Sequence, residues 1–116
     1  FDHRNILPYL GSVVDATSGH ILYILSEFMV KGRLSDVCRL GPLPVAQATA
    51  YSLDIALGLR VLHEQVVPVM HRDLHSDNIL ITTDRAVIAD LGSAKEAYPG
   101  ARHTESLIMY KYIKPP

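Results

Sequence analysis

The chain has 116 residues, 48% hydrophobic and 20% charged, with a formal net charge of −1. That length suits one small domain burying roughly two-thirds of its unfolded surface, and the near-neutral balance gives no basis for nucleic-acid or anionic-membrane binding. Cys38 is the single cysteine, which excludes an internal disulfide and fits a reducing, intracellular and cytoplasmic setting. Its expected role is that of a small, buried or half-buried apolar residue. No stretch reads as a signal peptide or as an apolar run of membrane-spanning length. Along the chain, Leu10–Val14 and Ile21–Leu25 are apolar, β-branched runs on either side of Asp15–Gly19, which predicts an antiparallel strand pair. Ser26–Leu34 follows as a strand end and polar loop. Pro42 and Pro44 close an irregular stretch, and proline suits the first turn of a helix, where its missing N–H costs nothing. Over Val45–Glu64, the spacing by three and four of Ala48, Tyr51, Ile55, Leu59 and Leu62 predicts one buried helix face. Ile79–Ile81 and Ala86–Ala89 predict a short hairpin across Thr82–Arg85.

Between the long helix and the hairpin lies His71-Arg72-Asp73-Leu74-His75-Ser76-Asp77-Asn78, and twelve residues after Asn78 comes Asp90-Leu91-Gly92. Asp, Ser and Asn favour turns, so a plain solvated turn is one reading. His71 and His75 with Asp73 and Asp77 between them could also form a metal cluster on one helix face, although Pro68 argues against a long helix here. The run nevertheless meets every fixed position of H-R-D-L-x-x-x-N, and with Asp90-Leu91-Gly92 it resembles the catalytic loop and magnesium-binding turn of protein kinases.

The resemblance implies phosphoryl transfer from ATP, with Mg²⁺, to a hydroxyl of a protein substrate. That chemistry rests on positioning and charge neutralisation more than on covalent help. Asp73 would accept the proton of the attacking hydroxyl, and Asn78 and Asp90 would hold Mg²⁺ against the nucleotide phosphates. Arg72 would pair with a phosphorylated residue of the activation segment. Ser26–Leu34 resembles the hinge between kinase lobes. Glu27 and Met29 would offer backbone groups to the adenine, Ser26 would be a small gatekeeper, and Leu80 would lie beneath the ring. Asp2–Leu7 resembles the H-x-N-I-V link into the fourth strand of the upper lobe. Gly58–Glu64 resembles the G-L-x-x-L-H-E end of the helix before the catalytic loop. Ser93–Ile113 would form the activation segment, with Ser93, Thr104 and Ser106 as candidate phosphorylation sites beside Arg72, Arg102 and His103.

The implied fold is α+β, a partial protein-kinase-like fold. Residues 1–26 would end the upper β lobe, 27–33 form the hinge, and 34–116 make the first, mainly helical part of the lower lobe. His75 stands where serine/threonine kinases carry a lysine that contacts the transferring phosphate. An imidazole, partly charged near neutral pH, implies a weaker and pH-sensitive contact. Leu91 replaces the phenylalanine of D-F-G and keeps an apolar plug. Met109 replaces a threonine of serine/threonine kinases, and in Tyr112–Pro116 the closing Y-x-A-P-E pattern is met only in part. The Gly-rich phosphate loop and the paired lysine and glutamate of the family do not occur in these residues. The expectation is therefore a protein kinase, closest in appearance to the tyrosine-kinase-like group of serine/threonine kinases, whose 116 residues alone are inactive and unstable. The alternative is a pseudokinase or truncated scaffolding module.

Overall fold

Apolar runs on both sides of an Asp-Gly-containing turn build the first element. In a computed structural model of the chain, which describes residues 1–97, β1 (Tyr9–Val14) pairs antiparallel with β2 (Ile21–Ser26). The turn is closed by the Asp15 carboxylate, which accepts the N–H groups of Thr17 and Ser18 at 2.8 Å each. Gly19 follows at φ +73°, a conformation that favours glycine. The ribbon is a residue longer at its open end than the Leu10–Leu25 pattern indicates, because Ser26 pairs with Tyr9. Its apolar side chains are mostly exposed, Leu10 at 64% and Tyr23 at 67%, so it carries no core of its own. Thr104, Ser106, Arg102, His103, Met109 and Tyr112–Pro116 lie outside the described residues.

A short helix, α1 (Leu34–Arg39), occupies a stretch expected to be irregular. It holds together locally: the Asp36 carboxylate accepts the Arg33 N–H at 3.2 Å and an Arg39 guanidinium N–H at 3.1 Å. Cys38 lies on its exposed side rather than being buried, because the helix packs through Leu34 and Val37.

The long helix α2 (Val45–His63) starts after Pro44, whose carbonyl accepts the Ala48 N–H at 2.9 Å. Its fully buried positions are Tyr51, Asp54, Gly58 and Leu62, with Ile55 and Leu59 half-buried beside them. The expected stripe is thus present, but an aspartate and a glycine sit at its centre. Gly58 permits a close approach, since a Cβ there would stand 2.8 Å from the Asn5 carbonyl oxygen. Asp54 accepts the buried Ala86 N–H at 2.9 Å.

Two small antiparallel pairs complete the framework. β3 (Val69–Met70) pairs with β6 (Lys95–Glu96), and β4 (Ile79–Ile81) pairs with β5 (Ala86–Ile88). The segment before β1 runs parallel to β5, with Ile88 N–H on the Asn5 carbonyl and Leu7 N–H on the Ile88 carbonyl, both 2.8 Å. Tyr51, Ile79, Ile81, Ala86 and Ile88 form one apolar cluster between α2 and the hairpin. Ile6, Leu62, Val69, Leu91 and Ala94 form a second, which takes in the end of α2, β3 and the residues after Asp90. Each fully buried Ile or Leu stabilises by about 1.5–3 kcal/mol, and the strands that flank the 71–78 loop, β3 and β4, each lend residues to one of these clusters. The architecture is α+β, as expected.

Candidate active site

The loop 71–78 leaves β3 and enters β4, and β5 carries the chain directly to Asp90. His71, 3% exposed, fastens the loop at its start. Its Nδ1 accepts the Asp73 N–H at 3.2 Å, and its Nε2 donates to the Ala89 carbonyl at 2.8 Å. At the other end, the Asn78 carbonyl accepts the Ala89 N–H at 2.9 Å. Ala89 is therefore held from both sides, and Asp90, the next residue, is set beside the loop. Asp90 adopts φ 53° and accepts the Gly92 N–H at 3.2 Å, which turns the chain into a single 3-10 turn, Leu91–Ser93. Leu91 is buried in the second cluster, as the apolar plug was expected to be.

Asp73 and Asn78 meet directly. The Asn78 Nδ2 donates to the Asp73 carbonyl at 2.9 Å and to its carboxylate at 3.1 Å. His75 lies beside both, with Nε2 3.1 Å from the Asn78 amide nitrogen and 3.5 Å from Asp73 Oδ1. Arg72, at φ 68°, points the other way and donates from Nε to the Ser93 carbonyl at 2.8 Å. Ser93, a candidate phosphorylation position, thus lies against Arg72 through its backbone. Among the described residues no three His, Cys, Asp or Glu side chains converge as a metal-ligand set. Asp77 turns outward, where its carboxylate accepts from the Ser35 hydroxyl. That bond, with the nearby positive charges of His75, Arg33 and Arg39, holds its carboxyl below the usual carboxylate range. The Ser35 N–H also donates to the Ser76 carbonyl at 3.1 Å, so α1 braces the loop from outside. Ser35 was not singled out in the sequence, and nothing in its local pattern marks it.

Ser26 ends β2, and Glu27 and Met29 follow it in the link that reaches β4. The chain after Met29 is tied to β4 by Lys31 N–H on the Ile81 carbonyl at 3.1 Å and Ile81 N–H on the Gly32 carbonyl at 2.8 Å. The Met29 side chain is buried, and its carbonyl accepts the Gly32 N–H at 3.1 Å. The Glu27 carbonyl and the Met29 N–H bond to nothing among the described residues. Ile79 and Ile81 face the core, which leaves Leu80 half-buried on the opposite side of β4, bridged to Arg33. Ser26 and Asp90 line one cavity of about 100 Å³ with Ile6, Tyr9, Ile24 and Leu91.

The family of protein kinase domains matches residues 1–116. The chain belongs to that family. This kinase domain chain is similar, at 36% identity over 97% of its length, to a probable receptor-like protein kinase of Arabidopsis thaliana, of which the match covers 20%. It is 44% identical over 80% of its length to LysM domain receptor-like kinase 10 of Oryza sativa subsp. japonica, covering 16% of that protein. Against MAP3K epsilon protein kinase 1 of Brassica napus, identity is 34% over 99% of the chain and 9% of the relative. The chain thus spans at most 20% of the length of these relatives. No helix of the described residues is long and apolar enough to cross a membrane.

The kinase domain family uses ATP with a divalent cation, and the donor set suits Mg²⁺. Asn78 engages its amide nitrogen on Asp73, which leaves the amide oxygen for a cation, and Asp90 binds Gly92 through Oδ1 and keeps Oδ2. Two hard oxygen donors on adjacent backbone match what Mg²⁺ takes from protein.

Proposed function

We propose that the protein containing this chain is an ATP- and Mg²⁺-dependent protein kinase acting on serine or threonine hydroxyls. The observation that carries this is the single hydrogen-bonded unit in which Asn78 grips Asp73 and pairs through its backbone with the residue before Asp90. Residues 1–26 are assigned to the end of the upper lobe, 27–33 to the hinge and 34–116 to the first part of the lower lobe. Glu27 and Met29 present a free carbonyl and a free N–H to the adenine edge, Leu80 lies beneath it, and Ser26 leaves the cavity behind it open. Bound Mg²⁺ would neutralise charge on the phosphates. As the substrate hydroxyl attacks the γ-phosphorus, its O–P bond forms, the bond to the ADP oxygen breaks, and Asp73 takes the hydroxyl proton. Asn78 fixes the orientation of that carboxylate, so the proton leaves along a set direction. Arg72, tied to Ser93, offers its remaining guanidinium N–H groups to a phosphate on the following segment.

The test is Mg·ATP-dependent transfer of labelled γ-phosphate by the full-length protein, compared with Asp73→Asn. Loss of the general base contributes on the order of a hundredfold or more in rate. A second reading, a kinase-like scaffolding module, is favoured by His75 at the lysine position. Nucleotide binding without transfer, unaffected by Asp73→Asn, would select it.

A further inference from the structure

Residues 72–77 of the loop are all exposed, so hydrogen bonds rather than burial set their position. Inside the loop, the Asn78 N–H donates to the His75 carbonyl at 2.9 Å and the Asp77 N–H to the His75 Nδ1 at 3.2 Å. Among the described residues, the hydrogen bonds that carry residues 74–77 beyond the loop both end on Ser35. Its N–H donates to the Ser76 carbonyl at 3.1 Å, and its hydroxyl donates to Asp77 Oδ1. The second is charge-assisted, and such bonds are roughly twice as strong as those between neutral groups.

Ser35 is both available for this contact and fixed in place. The Asp36 carboxylate caps α1 by accepting the Arg33 N–H at 3.2 Å, which leaves the Ser35 hydroxyl for the loop. The chain just before α1 is tied to β4 by Lys31 N–H on the Ile81 carbonyl and Ile81 N–H on the Gly32 carbonyl. Leu34 and Val37 then pack against the cluster that contains Ile79 and Ile81. Asn78 immediately precedes β4. The arc 74–77 is thus pinned between two points of one framework, its end at β4 and its outer edge at α1.

We propose that Ser35 is a positioning residue for phosphoryl transfer: from α1 it pins the Ser76–Asp77 turn and, through that turn, holds the Asn78 amide on Asp73. This rests on the assignment of Asp73 as the general base. Asn78 follows Asp77 directly, and its Nδ2 donates to the Asp73 carbonyl at 2.9 Å and to the carboxylate at 3.1 Å. Without the pin, the turn closed by the His75 carbonyl gains freedom, and the carboxylate loses its fixed direction. Ser35 acts on the reaction only through the loop.

The full-length protein carries the test. Ser35→Ala deletes the hydroxyl and leaves the N–H on Ser76. It should lower kcat about tenfold with KM for Mg·ATP and for the protein substrate unchanged, because a misplaced reacting group loses rate rather than binding. Ser35→Thr keeps a hydroxyl and should recover most of that rate. Asp77→Ala should resemble Ser35→Ala, and the double variant should be no slower than the slower single one, since both changes remove the same contact. Unchanged kcat in Ser35→Ala, or effects that multiply in the double variant, overturns the proposal. So does a raised KM for the protein substrate at unchanged kcat, which would make this edge a substrate contact. A readout independent of turnover is the Asn78 side-chain amide in ¹⁵N-asparagine-labelled protein without nucleotide or metal. Ser35→Ala should shift that resonance, and an unmoved one overturns the link to Asp73. If the wild-type protein transfers no phosphate, the kinase reading fails by itself, and the amide measurement still decides whether Ser35 holds Asn78.

Discussion

Gly58→Ala tests how the long helix seats the hairpin that delivers Asp90. A Cβ on Gly58 would stand 2.8 Å from the Asn5 carbonyl oxygen, 2.8 Å from Ile88 Cδ1 and 3.4 Å from Asn5 Cβ. The Ile88 methyl can rotate away. The carbonyl cannot, because it accepts the Ile88 N–H at 2.8 Å and anchors the segment before β1. Alanine gains about 1 kcal/mol of helix propensity over glycine, whereas overpacking a dense site costs typically about 1–3 kcal/mol. The backbone contact puts the cost in the upper part of that range, so the second effect wins, with a net loss of up to about 2 kcal/mol. Urea denaturation should show a lower midpoint with unchanged slope. Adding Ile88→Val removes one of the two close atoms, so the double variant should show less overpacking than the sum of the single changes. A neutral or stabilised Gly58→Ala would mean that helix propensity dominates, and would refute the tight seating of α2 on Asn5.

Asp54→Ala should destabilise by about 1–3 kcal/mol, because the buried Ala86 N–H loses its acceptor; Asp54→Asn keeps an oxygen there and should cost less, and equal losses would show that the bond does not matter. Ser35→Ala should raise the Asp77 carboxyl toward its ordinary value, since the Ser35 hydroxyl is the foremost cause of its depression, and an NMR titration in which Asp77 does not move would count against the brace. The sign of its pH dependence follows. A carboxyl depressed in the folded state stabilises above its unfolded value and loses that contribution as pH falls through the folded one. Wild type should therefore lose stability on acidification more than Ser35→Ala does, measured as the difference in urea midpoint between neutral and acid pH.

The framework was legible where period and turn chemistry agree. The Asp15–Gly19 turn, the strand pair and the helix starting at Val45 all follow from local signals that the structure keeps. What local signals do not carry is pairing between distant residues. β3 and β6 are two residues each and exist only because Val69–Met70 meets Lys95–Glu96. α1 is too short to show a period, and is held by Asp36 and by Ser35 on the loop. Asp54 and Gly58 were not among the residues expected on the buried face of α2, and only the approach of Ala86 and Asn5 accounts for their burial.

The 71–78 loop was legible for a different reason: its residue types are dictated by chemistry at fixed spacing, so the pattern survives without any neighbour. Asp73, Asn78 and Asp90 were identified that way, and the structure brings the first two into contact and the third alongside. The alternation of His71, Asp73, His75 and Asp77 was visible too, but its meaning was not. As a list of ligand types it suggests a metal cluster. In three dimensions each histidine spends Nδ1 on the backbone two residues ahead, which takes one ring nitrogen away from any metal. For His71 the other nitrogen goes to Ala89 and positions Asp90; for His75 it lies 3.1 Å from the Asn78 amide nitrogen. One local turn, used twice, thus ties both rings into the loop, and only backbone hydrogen bonds, invisible in a residue pattern, separate that use from metal binding.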